Sequence, residues 1–197
     1  RAPGAVDNGS GVAALLSMAR AFAEAGVRPR KSIYFVAFGG EEAGLYGSDR
    51  FAQELESPGS SRSPIPAECR VGRSEDHTAV IMDMIGWHNP AFAEDTVTME
   101  TFNWSASVLP HVARSNLVNN GGRLSLLASF NPYGSDHESF LNRGFKAALT
   151  IDNDGEAEDY PCYHQRCDSI DHVDVRLATE IARMNLGAAM RLAGLED

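Results

Sequence analysis

Phe38-Gly39-Gly40-Glu41-Glu42-Ala43-Gly44-Leu45-Tyr46-Gly47-Ser48 is the stretch on which the reading of this chain turns. The run that leads into it, residues 32–38, is Ser-Ile-Tyr-Phe-Val-Ala-Phe. It is short, β-branched and aromatic, and nearly free of polar groups. That composition predicts a strand buried on both faces, as in a parallel or mixed sheet covered by helices. Two glycines end the strand and two adjacent carboxylates follow. A helical pattern resumes at Ser48 and continues through Phe51, Ala52 and Leu55. In open α/β sheets ligands bind in the crevice beyond the carboxyl ends of the strands. An acidic pair there points to a metal, with one Glu as ligand and its neighbour as proton shuttle. The plainer alternative is two carboxylates placed at the positive end of a helix.

The rest of the chain repeats this alternation. Before the stretch, Val12, Leu15, Leu16, Ala19, Phe22 and Ala23 recur at helical spacing, which predicts a helix over residues 10–25 stopped by Gly26. Asp7 stands just ahead of it, as a ligand or as an N-cap. Residues 57–76 are rich in Ser, Pro, Gly and Arg and read as a surface excursion. Residues 78–85 predict a second buried strand with Asp83 near its end. A carboxylate in that place is costly unless it is paired or binds a metal.

Further on, the pattern predicts strands over 96–101, 124–127 and 147–151. A helix over 104–116 carries Pro110 as an interruption. A short helix opens at Ser135, with that residue as N-cap. A final helix covers 174–192, with Leu177, Ile181, Met184 and Ala188 on one face. Alternating strands and helices make this an α/β protein: one domain over residues 1–197, a three-layer α/β/α sandwich around a mixed, mostly parallel central sheet.

Composition excludes several function classes. The 197 residues suffice for one domain with a sizeable core. A formal charge of −10, from 27 acidic against 17 basic residues, argues against a nucleic-acid partner, which would want a basic face. No apolar run is long enough to span a bilayer. Cys162 and Cys167 bracket Tyr-His-Gln-Arg and read as a small disulfide loop, with two free thiols near a metal as the alternative. A disulfide implies a secreted, periplasmic or lumenal protein. Cys69 has no obvious mate.

Asp7, Glu41, Glu42, Asp83 and His164 each precede a helix, end a strand or sit in a loop beyond one. Carboxylates and imidazole are the ligand types of a catalytic zinc site. Three carboxylate ligands in addition to a base exceed what one ion needs, so two cations sharing a bridging carboxylate balance the charge better. The remaining histidines read differently. His77 and His88 belong to loops or the surface, His111 to a helix, and His172 to the approach to the last helix. His137 reads as supporting or structural.

Four segments, in order, complete a pattern: Pro3-Gly4-Ala5-Val6-Asp7-Asn8-Gly9-Ser10-Gly11, then Gly40-Glu41-Glu42-Ala43-Gly44-Leu45-Tyr46-Gly47-Ser48, then Met82-Asp83-Met84-Ile85-Gly86, then Cys162-Tyr163-His164-Gln165-Arg166-Cys167-Asp168. Ser135-Asp136-His137 with Phe140 is a fifth, weaker match. Together they resemble the zinc-dependent aminopeptidases of the family that includes bacterial leucyl aminopeptidases and glutamate carboxypeptidases. The resemblance implies two zinc ions per complete catalytic domain, bridged by Asp7. Glu42 and His164 would complete one ion, and Asp83 and a second histidine the other. Glu41 would be the general base and Tyr163 an oxyanion donor, while Asp136 and Asp168 would orient ligands. A cis peptide after Asp7 also belongs to the pattern.

The resemblance places the second histidine in a His-x-Asp motif upstream of Asp7. The chain begins too late to contain it, so it reads as an N-terminally truncated domain that lacks the first strands of its sheet. Some relatives carry an Arg where Gly134 stands, which removes one substrate contact. The implied substrate is a peptide with a free N-terminus, its first side chain meeting loop positions such as Trp87, Phe130 and Tyr133. The alternatives are a glutaminyl cyclase with one zinc, a carboxypeptidase, or a non-catalytic module on the same fold. A calcium-binding acidic domain fits less well, because calcium prefers oxygen ligands and His164 is nitrogenous.

Overall fold

The computed structural model describes residues 3–57, 77–132, 134–152 and 160–195. The excursion at 58–76 with Cys69, and the side chain at Tyr133, lie outside the described residues.

Strand side chains alternate between two faces, and the apolar content of each face decides what covers it. In β1 (Thr78–Met82), Val80 and Met82 point to one layer and Ala79 and Ile81 to the other. In β4 (Lys146–Ile151), Ala148 and Ala147 divide in the same way. With β2 (Thr96–Glu100) and β3 (Ser125–Ser129) they form a four-stranded sheet in the order β1-β4-β2-β3. The β1–β4 and β2–β3 pairs are parallel and the β2–β4 pair is antiparallel.

The first face is covered by α1 (Gly11–Ala25), α3 (Leu109–Asn120) and α5 (Val175–Leu192). Ala14, Met18, Val112, Leu177, Ile181 and Met184 fill the space against Val97 and Met99. The second face is covered by α2 (Tyr46–Glu56) and α4 (His137–Leu141), where Ala52, Leu55, Phe140 and Leu141 meet Phe145 and Ala147. The result is the expected three-layer α/β/α sandwich with a mixed, mostly parallel sheet.

Several local expectations are corrected. Among the described residues, 32–38 join no ladder; Ser32 and Ala37 are exposed while Ile33, Tyr34, Phe35, Val36 and Phe38 are half-buried. The expected strand buried on both faces is therefore absent from the sheet: pairing needs a neighbour, and composition does not supply one. The strand of Thr78–Met82 is half-buried throughout and stops one residue before Asp83. Pro110 does not interrupt a helix. It lies in the first turn of α3, after a 3-10 segment over Asn103–Val108, where its missing N–H is harmless. Ser135 does not cap α4; its hydroxyl is used elsewhere. Asp174 does cap α5, accepting the Leu177 N–H at 3.0 Å.

Candidate metal centre

Asp7 sits in a wide helical turn over Ala5–Ser10, where Asp7 and Asn8 leave helical geometry and the bond between them is cis. Neighbouring side chains fix this turn. The Asn8 amide donates to the Met82 carbonyl at 3.0 Å, and its oxygen accepts the Gly11 N–H at 3.0 Å. A Cβ on Gly11 would stand 2.3 Å from that oxygen, so the glycine is required. Ser10 donates to the Val6 carbonyl and accepts the Ile85 N–H, which ties the turn to the segment beyond β1.

Glu41 and Glu42 ride on a closed loop between the extended run and α2. The Tyr46 and Gly47 N–H groups donate back to the Gly40 and Gly39 carbonyls at 3.1 and 3.0 Å. A Cβ on Gly47 would meet the Gly39 backbone oxygen at 2.6 Å, so only glycine lets the chain turn this tightly.

His164 lies in the loop closed by the Cys162–Cys167 disulfide. Its backbone is left-handed (φ 55°), a conformation in which non-glycine residues cluster at functional sites. Its ring stacks on Tyr163, with centroids 3.7 Å apart. Its Nε2 stands 2.9 Å from a Glu42 oxygen and 3.3 Å from an Asp7 oxygen. One ligand atom from each of Asp7, Glu42 and His164 lies within 4.8 Å of the other two. Two tetrahedral ligands about 2.0–2.1 Å from one zinc stand about 3.3 Å apart, so the trio fits such an ion.

Asp83 lies outside this trio but lines the same cavity as Asp7, Glu41, Glu42 and Asp136, a space of about 240 Å³. Ser135 donates to its carboxylate at 2.8 Å. The carboxyls perturb one another. Burial, then the Glu42 charge, pushes Asp7 up to about 6 against the opposing pull of His164. Burial, then Asp83, Glu42, Asp136 and Asp7, pushes Glu41 up to about 7. Burial raises Asp83 to about 6, opposed by the Ser135 hydrogen bond and reinforced by Asp7. Burial also raises Asp136, opposed by the Ser48 hydroxyl. This concentration of acid is the environment that a cation relieves.

Sequence reasoning missed Asp152. It is 2 % exposed just past β4, and one carboxylate oxygen accepts the Trp87 N–H. It obeys the same rule that singled out Asp83, a carboxylate at a strand end. His137 is fully buried inside α4, and burial pulls it down to about 4 although Glu100 lies 3.9 Å away, which agrees with a structural role. His88 pairs with Asp95 at 3.0 Å.

The model of peptidase family M28 matches residues 1–189. Aminopeptidase YwaD of Bacillus subtilis is 31% identical over 172 residues, which cover 87% of this chain and 34% of that protein. The structure of BSAP, a zinc aminopeptidase from Bacillus subtilis, superimposes with a TM-score of 0.72 at 30% identity, over 95% of this chain and 42% of that one. The LapA aminopeptidase of Legionella pneumophila gives a TM-score of 0.80 over 100% of this chain and 48% of that one; at 24% identity it speaks for the fold. The chain thus spans between a third and a half of the length of these relatives. With the match covering both the turn of Asp7 and the loop of His164, the chain belongs to peptidase family M28.

Proposed function

We propose that the protein hydrolyses peptide bonds and releases amino acids from free N-termini, using zinc held by Asp7, Glu42 and His164. The observation that carries this reading is the convergence of those three ligand atoms within 4.8 Å. The names of YwaD and BSAP support aminopeptidase polarity over the carboxypeptidase alternative. A bridging role for Asp7 between two ions is supported by its carboxylate oxygen lying 3.3 Å from His164 Nε2 and by its lining the same cavity as Asp83. A second ion would take Asp83 as a ligand.

Zinc held by Asp7, Glu42 and His164 would supply a Lewis acid for the scissile carbonyl and would acidify water there. Glu41 accepts the proton of the attacking water and returns it to the leaving amine. Tyr163 holds its proton, since burial and the surrounding carboxylates push its phenol up to about 12. It can therefore donate a hydrogen bond to the developing oxyanion, a contact typically worth about 2.7–4 kcal/mol. The carboxylates around the cavity attract the ammonium of a free N-terminus. The Cys162–Cys167 disulfide supports a secreted, periplasmic or lumenal location. Among the described residues no helix is long and apolar enough to cross a membrane.

The test compares a leucyl peptide, its N-acetylated form and a peptide beginning with glutamine, with zinc measured by mass spectrometry. Cleavage of the first only, lost with chelator and restored by zinc, is expected. Equal cleavage of the acetylated peptide would exclude N-terminal polarity. Ammonia release from the glutamine peptide without hydrolysis would favour the cyclase reading.

A further inference from the structure

Directly after Asp83 the chain leaves the line of β1. The ladder with β4 ends at the pair Met82–Thr150, and the Asp83 N–H donates to the Thr150 carbonyl at 3.3 Å. Met84 is then left-handed (φ 44°). A non-glycine residue holds that conformation only where its surroundings force it. Met84 and Ile85 are buried, so the surroundings are protein on every side. The turn over residues 84–87 therefore sets where the backbone presents the Asp83 side chain, whose carboxylate Ser135 then takes at 2.8 Å.

The turn is gripped from several sides. The Ser10 hydroxyl accepts the Ile85 N–H at 3.1 Å, and the Asp174 N–H donates to the Gly86 carbonyl at 2.7 Å. Asp152, the first residue past β4, holds both ends. Its N–H donates to the Met84 carbonyl at 3.0 Å, and its carboxylate accepts the Trp87 N–H. The backbone half of this grip survives any side chain; the carboxylate half does not. The Trp87 indole packs on the Tyr160 ring with centroids 5.3 Å apart, in a buried cluster with Val6, Met84 and Cys162. The Tyr160 hydroxyl donates to Asp168, which accepts the Asp7 N–H. A continuous path of contacts thus joins the Asp83 turn to the Asp7 turn, with Asp152 at one end of it.

Packing alone does not account for a carboxylate at this place. Asp152 is 2 % exposed, and its second oxygen accepts no hydrogen bond among the described residues. A buried carboxylate without a cation is costly, and an apolar side chain of similar volume fills such a space at less cost. What Asp152 supplies is an acceptor at a fixed height opposite the Trp87 N–H. We propose that Asp152 is a positioning residue for Asp83: by closing the turn over residues 84–87 it holds the Asp83 carboxylate towards Asp7 across the metal cavity. It acts through the turn, since it stays outside the cavity lining formed by the described residues. This role rests on the reading of Asp83 as a metal ligand. Ser135 fixes the Asp83 side chain from one side, and Asp152 fixes its backbone from the other.

The experiment titrates the full-length, metal-stripped protein with zinc against a chromophoric chelator and follows thermal unfolding in parallel. Asp83→Asn first identifies the zinc binding that depends on Asp83. Asp152→Ala is expected to weaken that same binding by about 10–100-fold, the range for partners that orient metal ligands, and to spare the binding that survives in Asp83→Asn. Asp152→Asn keeps an amide oxygen for the Trp87 N–H and is expected to restore the affinity. A residue that serves only the fold would lower Tm and leave zinc binding alone, and that result would overturn the proposal. So would failure of Asp152→Asn to restore affinity, which would make charge rather than position the cause. Should Asp152→Ala not fold, Asp152→Glu moves the acceptor by one methylene: weaker Asp83-dependent binding is expected, and unchanged binding would overturn the proposal. If Asp83→Asn leaves zinc binding unchanged, the ligand reading and the positioning role fall together. If it weakens binding and Asp152→Ala does not, the ligand reading stands and the positioning role alone falls.

Discussion

Asp168 grips the backbone of Asp7 from 161 residues away: its two carboxylate oxygens accept the Val6 N–H at 2.8 Å and the Asp7 N–H at 3.1 Å. The Tyr160 hydroxyl donates to the same carboxylate at 3.0 Å. One loop thus carries His164, the disulfide and the acceptor that fixes the turn of Asp7. The geometry of the trio depends on this clasp, because Asp7 and His164 come from opposite ends of the chain.

Replacing one oxygen of that clasp tests its role. Asp168→Asn sets an NH₂ group against a backbone N–H and loosens the turn. Partners that orient metal ligands typically contribute about 10–100-fold in affinity. Zinc affinity, read by competition with a chromophoric chelator, is expected to fall within that range while the circular dichroism spectrum is kept. An unchanged affinity would show that the clasp is dispensable.

Glu41 is assigned a proton-transfer role and Glu42 a ligand role, although they are adjacent and chemically alike. The distinction rests on geometry, since Glu42 reaches His164 at 2.9 Å and Glu41 does not join the trio. Glu41→Gln is expected to retain zinc and to lower kcat by about 10²–10⁴. Glu42→Gln is expected to lower zinc content instead. Loss of zinc from the Glu41 variant would reverse the assignment.

Much of this arrangement is legible from local pattern, and the failures share a cause. The helices of α1 and α5 follow from apolar spacing, because each buries one stripe regardless of its partner. Acid or imidazole placed at turns beyond apolar runs singles out Asp7, Glu41, Glu42, Asp83 and His164, and only the family resemblance divides them into ligands and base. Residues 32–38 read as a strand by composition, yet a ladder is a property of two segments, and β1 holds its hydrogen bonds with β4. Ser135 reads as a cap by position, but its hydroxyl is claimed by Asp83, 52 residues away. Pro110 reads as a break when its place in the first turn makes it a start. Asp152 could have been found by the rule that found Asp83.

The Cys162–Cys167 bridge closes a loop with a sequence separation of 5. On the chain-entropy account, so short a loop contributes about 2 kcal/mol. For a domain of this size that corresponds to a Tm change of about 4–8 °C. The paired substitutions Cys162→Ser and Cys167→Ser are expected to lower Tm by that amount in calorimetry. They should also weaken zinc binding, since His164 loses its anchor. A lower Tm with unaltered zinc affinity would separate the bridge from the site.

The acidic cluster makes a distinctive claim about pH. Asp7 and Asp83 at about 6 and Glu41 at about 7 lie above the values these groups have in an unfolded chain. Between about pH 4.5 and 8 the folded, metal-free protein therefore binds more protons than the unfolded one. Its stability falls as pH rises through that window. His137 and His111, both lowered by burial, act in the opposite sense, but they stand against five raised carboxyls, Asp7, Glu41, Asp83, Asp136 and Asp152. In chelator, the urea midpoint is expected to decline from pH 5.5 to pH 8. With zinc the cluster stays ionised, its ligands must be deprotonated to bind, and the trend should turn upward over the same interval. A metal-free midpoint that rises with pH would mean that these carboxylates are not crowded together in the folded protein.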